Sequence, residues 1–236
     1  MLATAHSAHA ASPAPPLLVA AAADLAELEQ PLSQRYEQLT GDKFRFVSGA
    51  SGMLSRQIEQ GAPFDVFLSA DQKLVNGLVQ SGRLEPSSVR IYAVGRLGLW
   101  SKNGSIRSLS DLARPAVLHV AIANPEHAPY GLAARQTLEN RGLWQSLQSK
   151  LVYGENVRQA LQYAESGNAD AAITAWALVW NRGGIPIPES WHAPIRQACG
   201  IVSTSTRKFE AQRFLEFLTG QEGRTVLEKH GFSTVK

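Results

Sequence analysis

Hydrophobic positions in the first third of the chain alternate between two periods. Apolar runs typical of strands alternate with segments in which apolar residues recur every three or four positions, as in helices. The predicted strands are 16–22, 43–49 and 64–70, and the predicted helices are 25–39, 53–61 and 71–82. Pro31 is expected to kink the first helix, because proline cannot continue the helical hydrogen bonding. The alternation predicts a parallel sheet covered by helices.

A second series of the same kind begins after the apolar segment 90–101, which no comparable helix follows. Its predicted strands are 117–124, 150–154 and 170–179, and its predicted helices are 130–142 and 156–167. After an apolar run at 197–203, the chain ends in predicted helices at 208–220 and 222–231.

Two such series predict an α/β protein of two lobes, each a mostly parallel sheet with covering helices. Extended segments near residues 92 and 201 are the expected crossings between the lobes. We assign residues 16–91 plus 203–236 to lobe 1 and residues 92–202 to lobe 2. In open α/β sheets, ligands bind beyond the carboxyl ends of the strands, so the strand-to-helix turns are the candidate site.

Composition narrows the class of protein. The net charge of the 236 residues is only +3 and the basic residues are scattered, which argues against nucleic-acid binding. No apolar run approaches the roughly 18 residues that a membrane span requires. Cys199 is the only cysteine, which excludes an internal disulfide, and its apolar surroundings predict burial.

Residues 1–15 are interpreted as a disordered leader that contains the remnant of an export signal. The segment is rich in alanine, lacks acidic residues and contains Ala8-His9-Ala10, an arrangement of the kind that a signal peptidase cuts. A basic region and a long apolar region are missing, so a simple flexible N-terminus is the alternative. The export interpretation predicts a periplasmic protein.

Four strand-to-helix turns share small or polar residues and almost no positive charge. They cover 21–27, 48–54, 127–133 and 154–160, and Arg158 is their only lysine or arginine. A helix N-terminus offers unpaired N–H groups and about half a positive charge. Several N-termini aimed at one point would bind an oxyanion without lysine or arginine.

Each turn also has an ordinary structural explanation. Ser51 is a candidate N-cap, Asp24 and Glu27 have the spacing of a capping box, and Tyr130 is able to pack with its hydroxyl in water. Enzyme motifs fit less well, since Ser51 lacks the glycine spacing of a nucleophile elbow and no Walker loop is present. The histidines show no metal-ligand spacing.

These turns also resemble a known family. The segments that carry the likeness are VAAAADL, SGASGMLSRQIEQGAPFDVFLSADQKLV, ANPEHAPYGLAARQTLE, GENVRQAL and KHGF. They are similar to the periplasmic molybdate-binding proteins of ABC importers, over almost the whole chain beyond the leader. The resemblance implies a type II periplasmic-binding-protein fold, in which two lobes close on molybdate or tungstate. It also implies delivery to a membrane permease, with no catalysis and no cofactor, and we expect a monomer.

The resemblance places oxyanion contacts on particular residues. Ser51 is expected to give a hydroxyl and a backbone N–H, and Tyr130 and Val157 backbone N–H groups. These three would contact the metal only through the oxygens of molybdate or tungstate. The hydroxyl of Tyr130 is a further candidate contact. Asp24 replaces a ligand serine of many members, so we expect it to turn away as a cap while its own N–H, or that of Ala23, binds.

A second departure from the family concerns the late strand, where many members have a tyrosine and this chain has Ala175. Tyr130 is the candidate substitute for that tyrosine, reaching the ligand from the other side. Three alternatives stay open at this point. They are a receptor for another tetrahedral oxyanion such as sulfate, a ligand-sensing domain of a regulator, and a serine hydrolase.

Overall fold

The computed structural model describes residues 15–234. The predicted leader, except for Pro15, lies outside the described residues. The strands are β1 (Leu17–Ala22), β2 (Phe44–Gly49), β3 (Val66–Ser69), β4 (Arg90–Gly95), β5 (Leu97–Trp100), β6 (Val120–Ala123), β7 (Leu151–Gly154), β8 (Ala171–Ala175), β9 (Ile185–Pro186) and β10 (Ile195–Ile201). The helices are α1 (Glu29–Thr40), α2 (Ser51–Glu59), α3 (Gln72–Gln80), α4 (Pro129–Asn140), α5 (Trp144–Leu147), α6 (Val157–Ser166), α7 (Lys208–Thr219) and α8 (Gln221–Lys229).

The strands form two five-stranded sheets of the same plan. The first has the order β2-β1-β3-β10-β4 and the second the order β7-β6-β8-β5-β9. In the first sheet β1 pairs in parallel with β2 and β3, and β10 is antiparallel to both its neighbours. In the second sheet β6 pairs in parallel with β7 and β8, and β5 is antiparallel to both its neighbours. The prediction of two mostly parallel sheets with covering helices is confirmed.

The antiparallel strand of each sheet is the first strand after the chain has crossed from the other sheet. Arg96 alone separates β4 from β5, so the outward crossing is a single residue within the apolar run 90–101. The return crossing lies between β9 and β10. This division differs from the one expected at residues 92 and 202, because residues 90–95 and 195–201 belong to the first sheet. The hydrophobic pattern could not show the change, since both sheets bury their strands.

The first predicted helix also differs in its start. Residues 23–28 form a 3-10 helix, and α1 begins only at Glu29. Pro31 therefore lies in the first turn of α1, where its missing N–H has no intrahelical partner to lose. The change of helix type therefore comes before the proline.

The two lobes are packed on separate cores that meet at the cleft. Lobe 1 contains an aromatic cluster in which Tyr36 contacts Phe44, Phe214 and Phe217 with ring centroids 5.2–5.8 Å apart. The core of lobe 2 continues across the cleft onto the alanines that begin the helices of lobe 1. Cys199 is fully buried in β10, as predicted, and burial raises the pKa of its thiol to about 12.

Candidate functional site

Four helix N-termini converge on one small cavity between the lobes. Two belong to lobe 1, the 3-10 helix that begins at Ala23 and α2 that begins at Ser51. Two belong to lobe 2, α4 that begins at Pro129 and α6 that begins at Val157. The lining residues are Ala22, Ala23, Asp24, Gly49, Ala50, Ser51, Ala70, Ala128, Pro129, Tyr130, Asn156 and Val157. The structure thus brings all five sequence-predicted residues, Ala23, Asp24, Ser51, Tyr130 and Val157, to one place.

Three of these helices carry alanine at the N-cap position. Ala22, Ala50 and Ala128 all have extended backbone there, and an alanine side chain cannot accept a hydrogen bond from the first turn. By contrast, Asp71 caps α3, which is not one of the converging helices, by accepting a hydrogen bond from Lys73 N at 2.8 Å. Alanine caps leave the first N–H groups of three helices facing the cavity without a side-chain acceptor. Sequence analysis missed this signal.

Ser51 is fixed by a neighbouring strand end. Its Oγ accepts a hydrogen bond from Ala70 N at 3.0 Å, and the side chain is buried. Because that bond uses a lone pair, the hydroxyl hydrogen remains free to donate toward the cavity. Ser51 is the first residue of α2, not its N-cap, so the capping explanation of this serine is wrong.

Val157 is positioned by polar groups on both sides of it. Thr174 Oγ1 donates to Val157 O at 2.9 Å, which ties the start of α6 to β8. Asn156 caps the helix by accepting from the N–H groups of Arg158 and Gln159. The Asn156 side chain thus covers the second and third N–H groups of α6 and leaves the first, that of Val157, for another acceptor.

Two glycines at the cavity allow close backbone approaches, one between the lobes and one within lobe 2. Gly52 N donates to His127 O across the cleft at 3.0 Å, and a Cβ on Gly52 would lie 2.8 Å from that oxygen. A Cβ on Gly131 would lie 2.2 Å from Ala123 O, so glycine lets α4 start directly over the end of β6. Both contacts bring backbone dipoles to the cavity wall.

The expectation for the Asp24 side chain is wrong. The carboxylate makes no capping hydrogen bond and is fully buried between the lobes. Its Oδ2 accepts from Tyr130 Oη at 2.7 Å and from Gln197 Nε2 at 2.5 Å. The proposed capping partner, Glu27, instead pairs with Arg182 of the other lobe at 2.7 Å. The buried donors hold Asp24 more firmly than a capping box in water would.

Gln197 is a polar residue at the site that sequence analysis missed. It lies fully buried on β10, and its Nε2 also donates to Tyr130 Oη at 2.9 Å. The Tyr130 hydroxyl is therefore engaged with Asp24 and Gln197, which differs from the expected contact with a ligand. The available signal was an amide in the middle of a buried apolar strand, since buried polar groups are usually hydrogen-bonded to something specific.

The electrostatic potential of the site is set by the helix dipoles and by one acidic residue, Asp24. Among residues 15–234, no lysine or arginine lines the cavity, and Asp24 is its only charged residue. Arg158, the basic residue of the predicted turns, pairs with Glu165 at 3.2 Å. Burial raises the pKa of the Asp24 carboxyl, an effect that the hydrogen bonds from Tyr130 and Gln197 partly oppose. Burial, with the negative charge of Asp24, also raises the pKa of the Tyr130 hydroxyl well above its usual value.

Other kinds of site find less support. The described part of the chain contains no group of three or more His, Cys, Asp or Glu side chains placed to hold a metal ion. Ala175 is buried in β8 beside Leu97, and it is not among the described residues that line the cavity. Within residues 15–234, no helix has both the length and the apolar character of a membrane span.

Two α/β lobes, linked by two crossings and closed on a small cavity under helix N-termini, define a two-lobed solute-binding protein. Comparison with known proteins agrees. The family model of bacterial extracellular solute-binding proteins matches residues 17–233, and the chain belongs to that family.

The most similar relatives include molybdate-binding proteins. The molybdate-binding protein ModA of Rhodobacter capsulatus is 33% identical over 222 residues, which cover 92% of this chain and 88% of that protein. ModA of Azotobacter vinelandii is 35% identical over 222 residues, covering 91% and 88%. The structure of the periplasmic molybdate-binding protein of Azotobacter vinelandii matches with a TM-score of 0.88 at 31% identity, covering 93% of this chain and all of that one.

These matches confirm the family resemblance and the fold inferred from the sequence. They also confirm the non-enzymatic prediction, because these relatives are named as molybdate-binding proteins. The serine hydrolase alternative is thereby set aside.

Proposed function

We propose that this protein captures molybdate, and also tungstate, in the interlobe cavity and delivers it to the membrane permease of an ABC importer. The single observation that carries the proposal is the cavity itself, where helix N-termini of both lobes meet without any lining cation among the described residues. The relatives named as molybdate-binding proteins supply the choice of anion.

The contacts follow from the positions of the N-termini. Ser51 donates its hydroxyl and backbone N–H, and Val157 donates its backbone N–H. The N–H groups of Tyr130 and of Ala23 or Asp24 complete the set. Hydrogen bonds to a charged acceptor contribute about 1.5–3 kcal/mol each. Five of them, less the costs of desolvation and ordering, are sufficient for micromolar or tighter binding. The metal is held only through the oxygens of the anion.

Closure of the two lobes is the mechanism. The open state presents the N-termini of one lobe only, whereas the closed state presents those of both, so the anion shifts the population toward closed. The closed state is further joined by the Gly52–His127 backbone bond and by the Tyr130–Asp24 bond. We propose that the protein works as a monomer in the periplasm after export, with no cofactor besides the bound anion.

The proposal is tested by calorimetric titration of the purified protein with molybdate, tungstate, sulfate and phosphate at fixed salt. We expect heat of binding and a raised melting temperature with molybdate and tungstate. An anion at 100 times its dissociation constant adds about 2.7 kcal/mol of stability. A response to sulfate, with none to molybdate or tungstate, would identify a receptor for a smaller oxyanion and refute the proposal.

A further inference from the structure

Asp24 has an unusual environment for a carboxyl group beside an anion cavity. It is fully buried, and its Oδ2 accepts hydrogen bonds from both Tyr130 and Gln197. Its Oδ1 is equally buried and has no hydrogen-bond partner among residues 15–234. Oδ2 is thus occupied by two donors, whereas Oδ1 remains available for a hydrogen bond, and Asp24 lines the cavity.

No neighbouring side chain supplies a compensating positive charge. The titratable groups that face Asp24 are the hydroxyls of Tyr130 on α4 and Tyr92 on β4, and Gln197 on β10 is neutral. Arg90 on β4 and Arg196 on β10 are exposed, and no cationic side chain is among the groups that shift the pKa of the Asp24 carboxyl. Charged side chains of the 3-10 helix, α1, α6 and the segment after β8 make hydrogen bonds of their own, and these are Glu27, Glu29, Arg158, Glu165 and Arg182. The hydrogen bonds from Tyr130 and Gln197 and the backbone N–H groups at the start of the 3-10 helix stabilise an ionised Asp24, and an entering oxyanion competes for those N–H groups.

We propose that capture of the dianion is coupled to uptake of one proton from solvent by Asp24, which binds the oxyanion as a neutral carboxylic acid. The inference rests on the proposed function. The proton goes to Oδ1, because Oδ2 already faces the donor hydrogens of Tyr130 and Gln197. No bond other than O–H forms, and the charge of the closed site changes from −3 to −2, counting the dianion and Asp24.

The geometry gives the neutral acid a second role. An O–H at Oδ1 is a donor, so it adds one hydrogen bond to the oxyanion, where the carboxylate would add repulsion. Burial already raises the pKa of the Asp24 carboxyl in the closed protein, which lowers the cost of protonation near neutral pH. Asp24 would therefore contribute to binding of a dianion only when its carboxyl group is protonated.

The test is calorimetric titration of the full chain with molybdate from about pH 6 to about pH 9, a range in which molybdate remains a dianion. Above the pKa of Asp24 in the free protein, the affinity is expected to fall about tenfold per pH unit, as one bound proton requires. Titration in two buffers of different ionisation enthalpy then gives the number of protons taken up, which is expected to approach one.

The variant Asp24→Asn tests whether the pH dependence of the affinity comes from the proton on Asp24 or from another group. Asparagine keeps the shape of the acid, accepts from Tyr130 and Gln197 with its oxygen, and presents an N–H where the acid has its O–H. The variant is expected to bind molybdate with a flat pH profile and, near pH 9, at least tenfold more tightly than the natural protein. His127→Gln is the matched control, because it replaces another ionisable side chain that borders the cleft and keeps the backbone carbonyl that accepts from Gly52 N. Its slope is expected to equal that of the natural protein.

The outcomes separate the two proposals. Molybdate binding with no proton uptake and a flat profile in the natural protein overturns the proton coupling but leaves the proposed function intact. An Asp24→Asn profile as steep as the natural one also overturns it, since the proton would then belong to another group. Absence of molybdate binding at every pH refutes the proposed function itself.

Discussion

Two of the places where the lobes touch handle charge in opposite ways. At the rim of the cleft, full charges meet: Arg182 pairs with Glu27 of lobe 1 at 2.7 Å and with Glu165 of α6 at 2.9 Å. The side chain of Arg182 is 38% exposed and those of the two glutamates are 29% exposed. In the cavity, buried backbone dipoles and hydroxyls meet, and no described lining residue is basic.

The difference between exposed ion pairs and buried dipoles indicates which of the two contacts controls binding. Exposed ion pairs contribute about 0.2–1 kcal/mol each, because water screens them and long side chains lose entropy. Dipoles in a water-poor cavity act at a lower effective dielectric constant, and they are already oriented by the helices. The cavity should therefore determine affinity and the choice of anion, while the rim adjusts them slightly.

The largest expected effect comes from a full negative charge added to the cavity wall. Ala50→Asp places a carboxylate at the N-cap of α2, where it satisfies the free N–H groups and repels the anion. Because the new carboxyl can take up a proton when the anion binds, the loss of binding free energy at pH 7 cannot exceed the cost of that protonation. This cost is about 4 kcal/mol, or about a thousandfold in affinity.

Ala50→Asn is the control of equal size. It caps the helix without a charge, so calorimetry should show a much smaller loss of affinity, whereas thermal unfolding of both variants should show α2 no less stable than before. Equal losses in the two variants would mean that size, and not charge, excludes the anion.

The next effect comes from preventing close approach of the lobes. In Gly52→Ala, the new Cβ would lie 2.8 Å from His127 O of the other lobe, and the three heavy atoms nearest to it all belong to His127. Overpacking costs about 1–3 kcal/mol, so the closed state and the affinity should weaken about 5- to 150-fold. Small-angle scattering should show a more open ligand-bound protein.

Gly77→Ala on α3 is the matched control for this variant. Its Cβ would meet nothing within 4 Å, so it should leave affinity unchanged and stabilise the helix by about 1 kcal/mol. A Gly52→Ala protein that binds as tightly as the natural one would show that closure does not depend on this approach.

The helices and strands could largely be predicted from the sequence, because each is encoded by a local period of apolar residues. The start of each helix at the cavity could also be predicted locally, because small residues follow an apolar run there. The partners of Asp24 were not, since Tyr130 and Gln197 lie 106 and 173 positions further along the chain. A local pattern, the spacing of Asp24 and Glu27, favoured a capping box, and tertiary hydrogen bonds between the lobes replaced it.

A moderate effect is expected from removing a single donor. Ser51→Ala deletes the cavity hydroxyl and should weaken molybdate binding by about 1–3 kcal/mol in calorimetry. It also leaves Ala70 N without its acceptor, so a parallel loss of unfolding free energy is expected. Ser55→Ala, one turn further along α2 and also buried, is the control and should leave affinity unchanged. Unchanged affinity in Ser51→Ala would remove this hydroxyl from the site.

The smallest effect is expected at the rim. Arg182→Ala removes both ion pairs of this residue but keeps its backbone carbonyl, which accepts from Trp100 Nε1 at 2.9 Å. Only the pair with Glu27 joins the lobes, and one such pair contributes at most about 1 kcal/mol, so the affinity should fall less than about fivefold. Because salt screens such pairs, the difference from the natural protein should disappear near 1 M salt.

Arg135→Ala provides the comparison for this last prediction, since the pair of Arg135 with Glu139 lies within α4 and does not join the lobes. It should leave the affinity unchanged at every salt concentration. A loss of more than tenfold in Arg182→Ala that persists at high salt would place a major part of the closing energy at the rim. The cavity dipoles would then be insufficient to explain closure, and the contrast between the two regions would fail.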